Sequence, residues 1–167
     1  FKELKSIKIL FLVSNLIEII EEKFLNSFNL SLSELSLNNN HIKVLKKYSF
    51  YELKNLKTHK LGFNQIEIIQ ESSFYGLDNL NKLDLLNNNI KLIKKNAFLG
   101  NIHLERLNLA LNSIKETINQ SFFYIISLKE LEMSRNHIEI LRKRSFYRLK
   151  NLEKLQLDSN FIETLEE

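Results

Sequence analysis

LSELSLNNNHIKVLKKYSFYELKN, residues 32–55, decides the fold, because every other segment of the chain reads as a substituted copy of it. Apolar residues fall at Leu32, Leu35, Leu37, Ile42, Leu45, Phe50 and Leu53, and Asn40 stands between the third and the fourth. A helix would repeat apolar residues at three and four along one face, and a strand would sustain alternation. Here alternation holds only from Leu35 to Leu37 and then breaks at the asparagine. The spacing predicts a short strand, a turn and a return segment.

At steps of about 24 residues, a period found in repeat architectures, the asparagine recurs at Asn64, Asn88, Asn112, Asn136 and Asn160. The leading leucine recurs in phase at Leu56, Leu80, Leu104, Leu128 and Leu152, and the aromatic at Phe74, Phe98, Phe122 and Phe146. Upstream, Ile7, Leu10, Leu12, Asn15, Ile17, Ile20 and Phe24 meet the same frame, with one extra residue expected around Ser27 to Phe28. The columns divide a single solenoid over residues 1–167 into a partial repeat at 1–6 and units starting near 7, 32, 56, 80, 104, 128 and 152.

Stacking gives each column its physical reason. One unit is too small to bury its own apolar side, so successive units lie on each other and share a continuous core. Their strands align about 4.8 Å apart in a parallel sheet. Pairs such as Leu35 and Leu37, or Leu155 and Leu157, then point inward, and the residues between them point out. The asparagine column, Asn15, Asn40, Asn64, Asn88, Asn112, Asn136 and Asn160, sits where strand turns to loop. There each amide can bond backbone groups of its own turn and of the neighbouring unit, which a buried turn requires. The phenylalanines are expected to stack on the far side as an aromatic spine.

The 167 residues allow a sizeable core, and the apolar fraction is ordinary for a globular protein. Cysteine is absent, which excludes disulfide staples and thiolate metal sites within this segment and leaves the compartment open. Phe1, Leu4 and Ile7 carry the offsets of Phe50, Leu53 and Leu56, so the chain is expected to start inside a repeat. Solenoids need polar caps and neither end shows one, so an internal fragment of a longer protein is expected. The run IKILFLVSNLIEII, residues 7–20, contains Asn15 and Glu18 and is too short to span a bilayer. Its repeat register explains it.

The pattern LxxLxLxxNxIxxLxxxxFxxLxx, at Leu32 to Asn55 and again at Leu128 to Asn151 with Met133 for one leucine, resembles the leucine-rich repeat. It is similar to the "typical" subclass with a phenylalanine column, and the likeness covers essentially the whole chain. The resemblance implies an α/β repeat solenoid: a right-handed superhelix with a parallel concave β-sheet and a mostly irregular or short-helical convex side. It implies a protein ligand bound on the concave sheet, as in extracellular and receptor ectodomains of this subclass. In those proteins cysteine-rich caps flank the array.

Three departures strain the columns: His59 replaces an inward leucine, Thr117 replaces the leucine matching Leu45, and Asn101 the one matching Leu53. Buried, His59 would be held neutral, either as a pH switch or as a tolerated core imidazole with a backbone hydrogen bond. Outward positions on the sheet follow from the strand reading. They are Ile9, Phe11 and Val13; Glu34, Ser36 and Asn38; Thr58, Lys60 and Gly62; Lys82, Asp84 and Leu86; Arg106, Asn108 and Ala110; Glu130, Glu132 and Ser134; Lys154, Gln156 and Asp158. The face is mixed in sign with an apolar end at Ile9, Phe11 and Val13, and exposed apolar clusters mark contact sites. Cover by a preceding cap or loop is the bland alternative for that patch.

Net charge is +4, but the basic residues do not form one stripe. The dipeptides Glu21-Glu22, Lys46-Lys47, Gln70-Glu71, Lys94-Lys95, Ile118-Asn119, Arg142-Lys143 and Glu166-Glu167 alternate in sign over much of the array. Units one strand apart then place opposite charges side by side, whereas a polyanion site wants one sign along a groove. No nucleic-acid partner is expected. The chain has no glycine-rich phosphate loop, nucleophile elbow or HExxH motif. His41 and His137 share a column but lie four units apart, on the order of 20 Å, too far for one metal. Neither enzyme activity, nor cofactor, nor metal, nor direct membrane contact of this segment is expected.

Asn29-Leu30-Ser31 and Asn119-Gln120-Ser121 are candidate N-glycosylation sequons, both outside the sheet strands. Two functional readings stand: the ligand-binding segment of a secreted or membrane-anchored receptor or adhesion glycoprotein at the cell surface, and an intracellular scaffold or regulatory array. A purely structural spacer is a third.

Overall fold

The computed structural model describes residues 4, 6–21, 31–51, 53–116 and 121–166. The sequons at Asn29 and Asn119, together with Phe1, Phe24, Thr117 and the extra residue near Ser27, lie outside the described residues.

Seven three-residue strands build one parallel sheet: β1 (Ile9–Phe11), β2 (Glu34–Ser36), β3 (Thr58–Lys60), β5 (Lys82–Asp84), β7 (Arg106–Asn108), β8 (Glu130–Glu132) and β10 (Lys154–Gln156). They lie side by side in chain order. The short elements between them, β4 (Ile68–Ile69), β6 (Leu92–Ile93), β9 (Ile140–Leu141) and β11 (Thr164–Leu165), pair on the other side as β4 with β6 and β9 with β11. Register follows the repeat: Leu35 pairs with His59, His59 with Leu83, and Leu107 with Leu131. Ile9 pairs with Glu34 and Glu34 with Thr58. The first step is therefore one residue longer than the second, as the extra residue requires.

Each strand of the sheet from β2 to β8 buries its middle residue and the residue after its end, whereas Leu10 and Leu12 of the β1 unit are half-buried. Leu35, Leu83, Leu107 and Leu131 are buried with Leu37, Leu61, Leu85, Leu109 and Met133. Leu155 departs from this: it points into the stack but, in the last strand, with no described unit over it, stays exposed, and Leu157 is half-buried. Leu32, Leu56, Leu80, Leu104 and Leu128 form a second fully buried row.

The aromatic spine is present. Phe50, Phe74, Phe98, Phe122 and Phe146 stack with neighbouring ring centroids 5.7–6.3 Å apart and interplanar angles of 3–16°. Offset stacking at this spacing suits the ring quadrupoles. Each fully buried ring stabilises the array by roughly 1.5–3 kcal/mol through apolar burial.

Among the described residues the convex side carries turns and the two short ladders, with no helix. Of the two expected options, irregular prevails over short-helical. A residue with φ between 58° and 66° opens the convex turn at Tyr48, Ser72, Asn96 and Arg144, and a left-handed residue interrupts right-handed helix propagation. A second left-handed row, Ser14, Asn39, Phe63, Asn87, Leu111, Arg135 and Ser159, immediately precedes each column asparagine.

Candidate ligand-binding face

The asparagine column holds the strand ends at a fixed pitch, and so positions the face. Asn88 shows the pattern: its Nδ2 donates to Leu61 O at 3.0 Å in the preceding unit and to Leu85 O at 3.1 Å in its own. Its Oδ1 accepts the Ile66 N–H of the preceding unit at 3.0 Å. Asn64, Asn112, Asn136 and Asn160 repeat these bonds with Ile42, Ile90, Ile114 and Ile138 as the N–H donors. Asn40 does so with Ile17. Asn15 is exposed and, among the described residues, bonds its own turn, at Leu12 O and Val13 O.

On this frame the sheet presents two rows of side chains. A hollow of about 330 Å³ runs over its centre, and its lining brings together Thr58, Lys60, Lys82, Asp84, Arg106, Asn108, Glu130, Glu132 and Gln156. Cations and carboxylates both line it, and one ion pair joins two of them. Arg106 Nε donates to Glu130 at 3.0 Å, Asp84 accepts the Leu86 N–H, and Glu132 accepts the Ser134 N–H. Lys154 is exposed at the side of the face and does not line the hollow.

At the β1 end the face is apolar. Ile9, Phe11 and Val13 are 54%, 60% and 44% exposed. Lys60 Nζ lies 5.9 Å from the Phe11 ring centroid and 2.7 Å from Glu34 Oε1, a cation shared between an aromatic face and a carboxylate. Ser36 stands between these groups and corrects the outward reading: it points from the sheet but is buried. Its side chain is short, and the longer Phe11 and Lys60 in the flanking strands of the same row overhang it. Gly62 and Ala110 are covered in the same way.

His59 lies beneath the face. Its ring is fully buried, with Nδ1 3.2 Å from Leu35 O and the Phe50 ring edge-on at a centroid distance of 4.5 Å. A carbonyl can only accept, so Nδ1 carries the proton and Nε2 presents a lone pair with no partner. Desolvation pushes the pKa down to about 4, against a smaller upward pull from the Leu35 bond. Asn101 is buried too: Nδ2 reaches Phe74 O at 3.0 Å and Leu77 O at 3.3 Å, while Oδ1 is unpartnered.

The charged dipeptides pair across units only in part. Lys46 meets Glu21 at 3.1 Å, and Arg142 meets Glu116 at 2.8 Å and Glu166 at 3.6 Å. Glu116 lies outside the dipeptide columns, as do Lys91–Glu67 and Lys129–Glu105. Hydrogen bonds and charge from Glu116 raise the Arg142 pKa, and Lys129 foremost lowers that of Glu105.

Two exposed groups escaped the sequence reading. Phe63 and Leu111 are 47% and 38% exposed because the left-handed turn swings them off the stack; their place just before the asparagine was the available signal. Tyr48, Tyr51 and Tyr75 cluster on the convex turns with centroids 5.6–6.0 Å apart. Their only sequence signal was proximity to the phenylalanine column.

The BspA-type leucine-rich repeat region matches residues 1–67 and 43–167, in six copies. No curated protein matches the sequence. Among solved structures, the TLR13–ssRNA13 complex contains a chain 31% identical to this one, with a TM-score of 0.82, over 92% of this chain and 22% of that one. A chain of the octameric complex of Latrophilin 3, Unc5D and FLRT2 is 24% identical (TM-score 0.78), over 93% of this chain and 47% of that one. The internalin InlF of Listeria monocytogenes is 22% identical (TM-score 0.71), over 98% and 48%. The last two likenesses concern the fold alone, and the chain spans less than half the length of all three. The repeat columns, the asparagine ladder and the family match agree: this chain belongs to the BspA-type leucine-rich-repeat family.

Proposed function

We propose that this segment is a protein-binding module of a secreted or surface-anchored receptor or adhesion protein, engaging its ligand through the sheet face at Ile9, Phe11 and Val13. The observation that carries the reading is Phe11: a large aromatic side chain, 60% exposed on a regular strand and flanked by two more exposed apolar residues. Aromatic anchors ringed by polar groups are what protein interfaces concentrate their binding energy on, and the Lys60–Glu34 pair supplies such a rim. The mixed charges of Lys82, Asp84, Arg106, Glu130, Glu132 and Lys154, with the amides of Asn108 and Gln156, then set which partner fits. The leucine-rich-repeat chain FLRT2, held in an octameric complex with Latrophilin 3 and Unc5D, is the kind of structural neighbour that favours this reading. The sequons at Asn29 and Asn119 belong to the same proposal, as glycan sites away from the sheet.

The test is a binding screen of the immobilised segment against a panel of extracellular proteins, repeated with Phe11→Asp and with Tyr147→Asp on the convex side. Ligands lost with Phe11→Asp and retained with Tyr147→Asp support the sheet site. Ligands indifferent to Phe11 remove it, and leave the patch as a surface covered by preceding chain.

A further inference from the structure

At the end of the sheet where the strands begin, Lys57, Thr58, Asn79, Asn81, Lys82 and His103 line an open hollow of about 400 Å³. Two successive units, those starting at Leu56 and Leu80, contribute to it. Its lining holds two ammonium groups, an imidazole, a hydroxyl and two amides, and no carboxylate.

Some lysines of this surface find anions within the protein, and others, Lys94 and Lys95 among them, stand without an ion pair among the described residues. Lys46, Lys60, Lys91 and Lys129 each pair with a glutamate of an adjacent unit. Among the described residues, Lys57 and Lys82 pair with none. The carboxylate placed to neutralise them is Glu105, one unit on from Asn81 in the same column. It is drawn off instead: Lys129 takes it at 3.3 Å, and the Asn81 side chain bonds it as well. Asp84, two residues from Lys82, accepts the Leu86 N–H at the far end of its strand. Asn79 is fixed by donating to Lys54 O at 2.8 Å. The walls are thus held by bonds of their own, while two cations face an opening that holds no counter-charge.

We propose that this hollow is an oxyanion site, taking a sulfate or phosphate monoester group between Lys57 and Lys82, with the Thr58 hydroxyl and the His103 ring as further donors. The site stands apart from the Phe11 patch and does not depend on it. It is also distinct from a polyanion stripe: its two cations, Lys57 and Lys82, come from different columns, and the sign-alternating dipeptides contribute neither of them.

Glucose 6-phosphate and glucose 6-sulfate, which differ only in the oxyanion, are the probes, with glucose and sodium chloride at matched ionic strength as blanks. Amide NMR shifts are followed in the unaltered chain, in Lys57→Gln/Lys82→Gln/His103→Gln, and in Lys94→Gln/Lys95→Gln. The second variant removes two cations from the convex side and so matches the change in net charge. We expect saturable shifts at Lys57, Thr58, Asn81, Lys82 and His103, with dissociation constants on the order of millimolar, as befits exposed charge pairs. Affinity should fall about tenfold or more in the triple variant and hold in the double variant. Saturation by either ester supports the site, and the tighter of the two identifies the source of the oxyanion. Shifts spread over all lysines, shifts reproduced by sodium chloride, or equal loss in both variants would overturn it.

Discussion

His59 makes stability depend on pH in a way that no neighbouring unit shares. Its column is otherwise leucine at Leu35, Leu83, Leu107 and Leu131, all buried. Burial holds the folded imidazole at about 4 against an ordinary 6.5, so between those values the unfolded chain binds a proton that the folded chain refuses. Stability from this group is therefore intact above about pH 6.5, declines as pH drops, and levels off below about pH 4. At about 1.36 kcal/mol per pH unit the full loss is about 3 kcal/mol, of which about 2 kcal/mol has gone by pH 5. Urea denaturation at pH 8 and pH 5, on the unaltered chain and on His59→Leu, isolates the effect, because every carboxylate contributes to both proteins alike. The variant should lose about 2 kcal/mol less between the two conditions, and at pH 8 should be more stable by about 1 kcal/mol because the orphaned Nε2 is gone. NMR titration of the His59 ring should give a midpoint near the same low value. Parallel losses in the two proteins, or a ring that titrates near 6.5, would refute the reasoning.

Three further outcomes follow from the packing. Asn88→Ala removes the acceptor of the Ile66 N–H and the donor to Leu61 O, leaving a buried amide unpaired; a loss of about 2–4 kcal/mol is expected in chemical denaturation. Asn101→Leu restores the leucine column of Leu53 and Leu77 and removes the unpartnered Oδ1. Phe74 O and Leu77 O keep the N–H groups of Leu77 and Leu80, so the melting temperature should rise, by about 1 kcal/mol of stability. Phe98→Ala opens the middle of the aromatic spine between Phe74 and Phe122 and should cost about 3–5 kcal/mol by the same assay.

The strands, the asparagine ladder and the phenylalanine spine were legible because each is one residue type at one offset, repeated. Even the longer first step could be read, since a single insertion shifts every later column together. What was not legible depends on neighbours from different columns. Ser36 was rightly placed outward yet is buried, because direction is set by the strand and exposure by the size of Phe11 and Lys60 beside it. The convex ladders were hidden because Ile68–Ile69 and Leu92–Ile93 are two-residue elements, too short for any period to separate strand from helix. The hollow at Lys57, Lys82 and His103 combines three offsets from two units, so no scan down a single column could assemble it.

That division has a cause in how the units are joined. Each interior asparagine bonds both its own turn and the preceding unit, so a unit without its neighbour leaves N–H and C=O groups open, and folding is tied to stacking. The columns that make these bonds admit little change. At an outward position such as Phe11 the ladder bonds run through the main chain, which a change of side chain keeps, so substitution there leaves the pitch of the sheet alone. A change such as Phe11→Asp can therefore alter recognition while the ladder stays whole, whereas Asn88→Ala disturbs the strand ends on either side of it. Comparing the two variants by amide hydrogen exchange separates the roles: protection should be unchanged along β3 to β8 in the first, and reduced at Ile66 and its neighbours in the second. Loss of protection across the sheet in Phe11→Asp would mean that the exposed face and the stacked core are not independent.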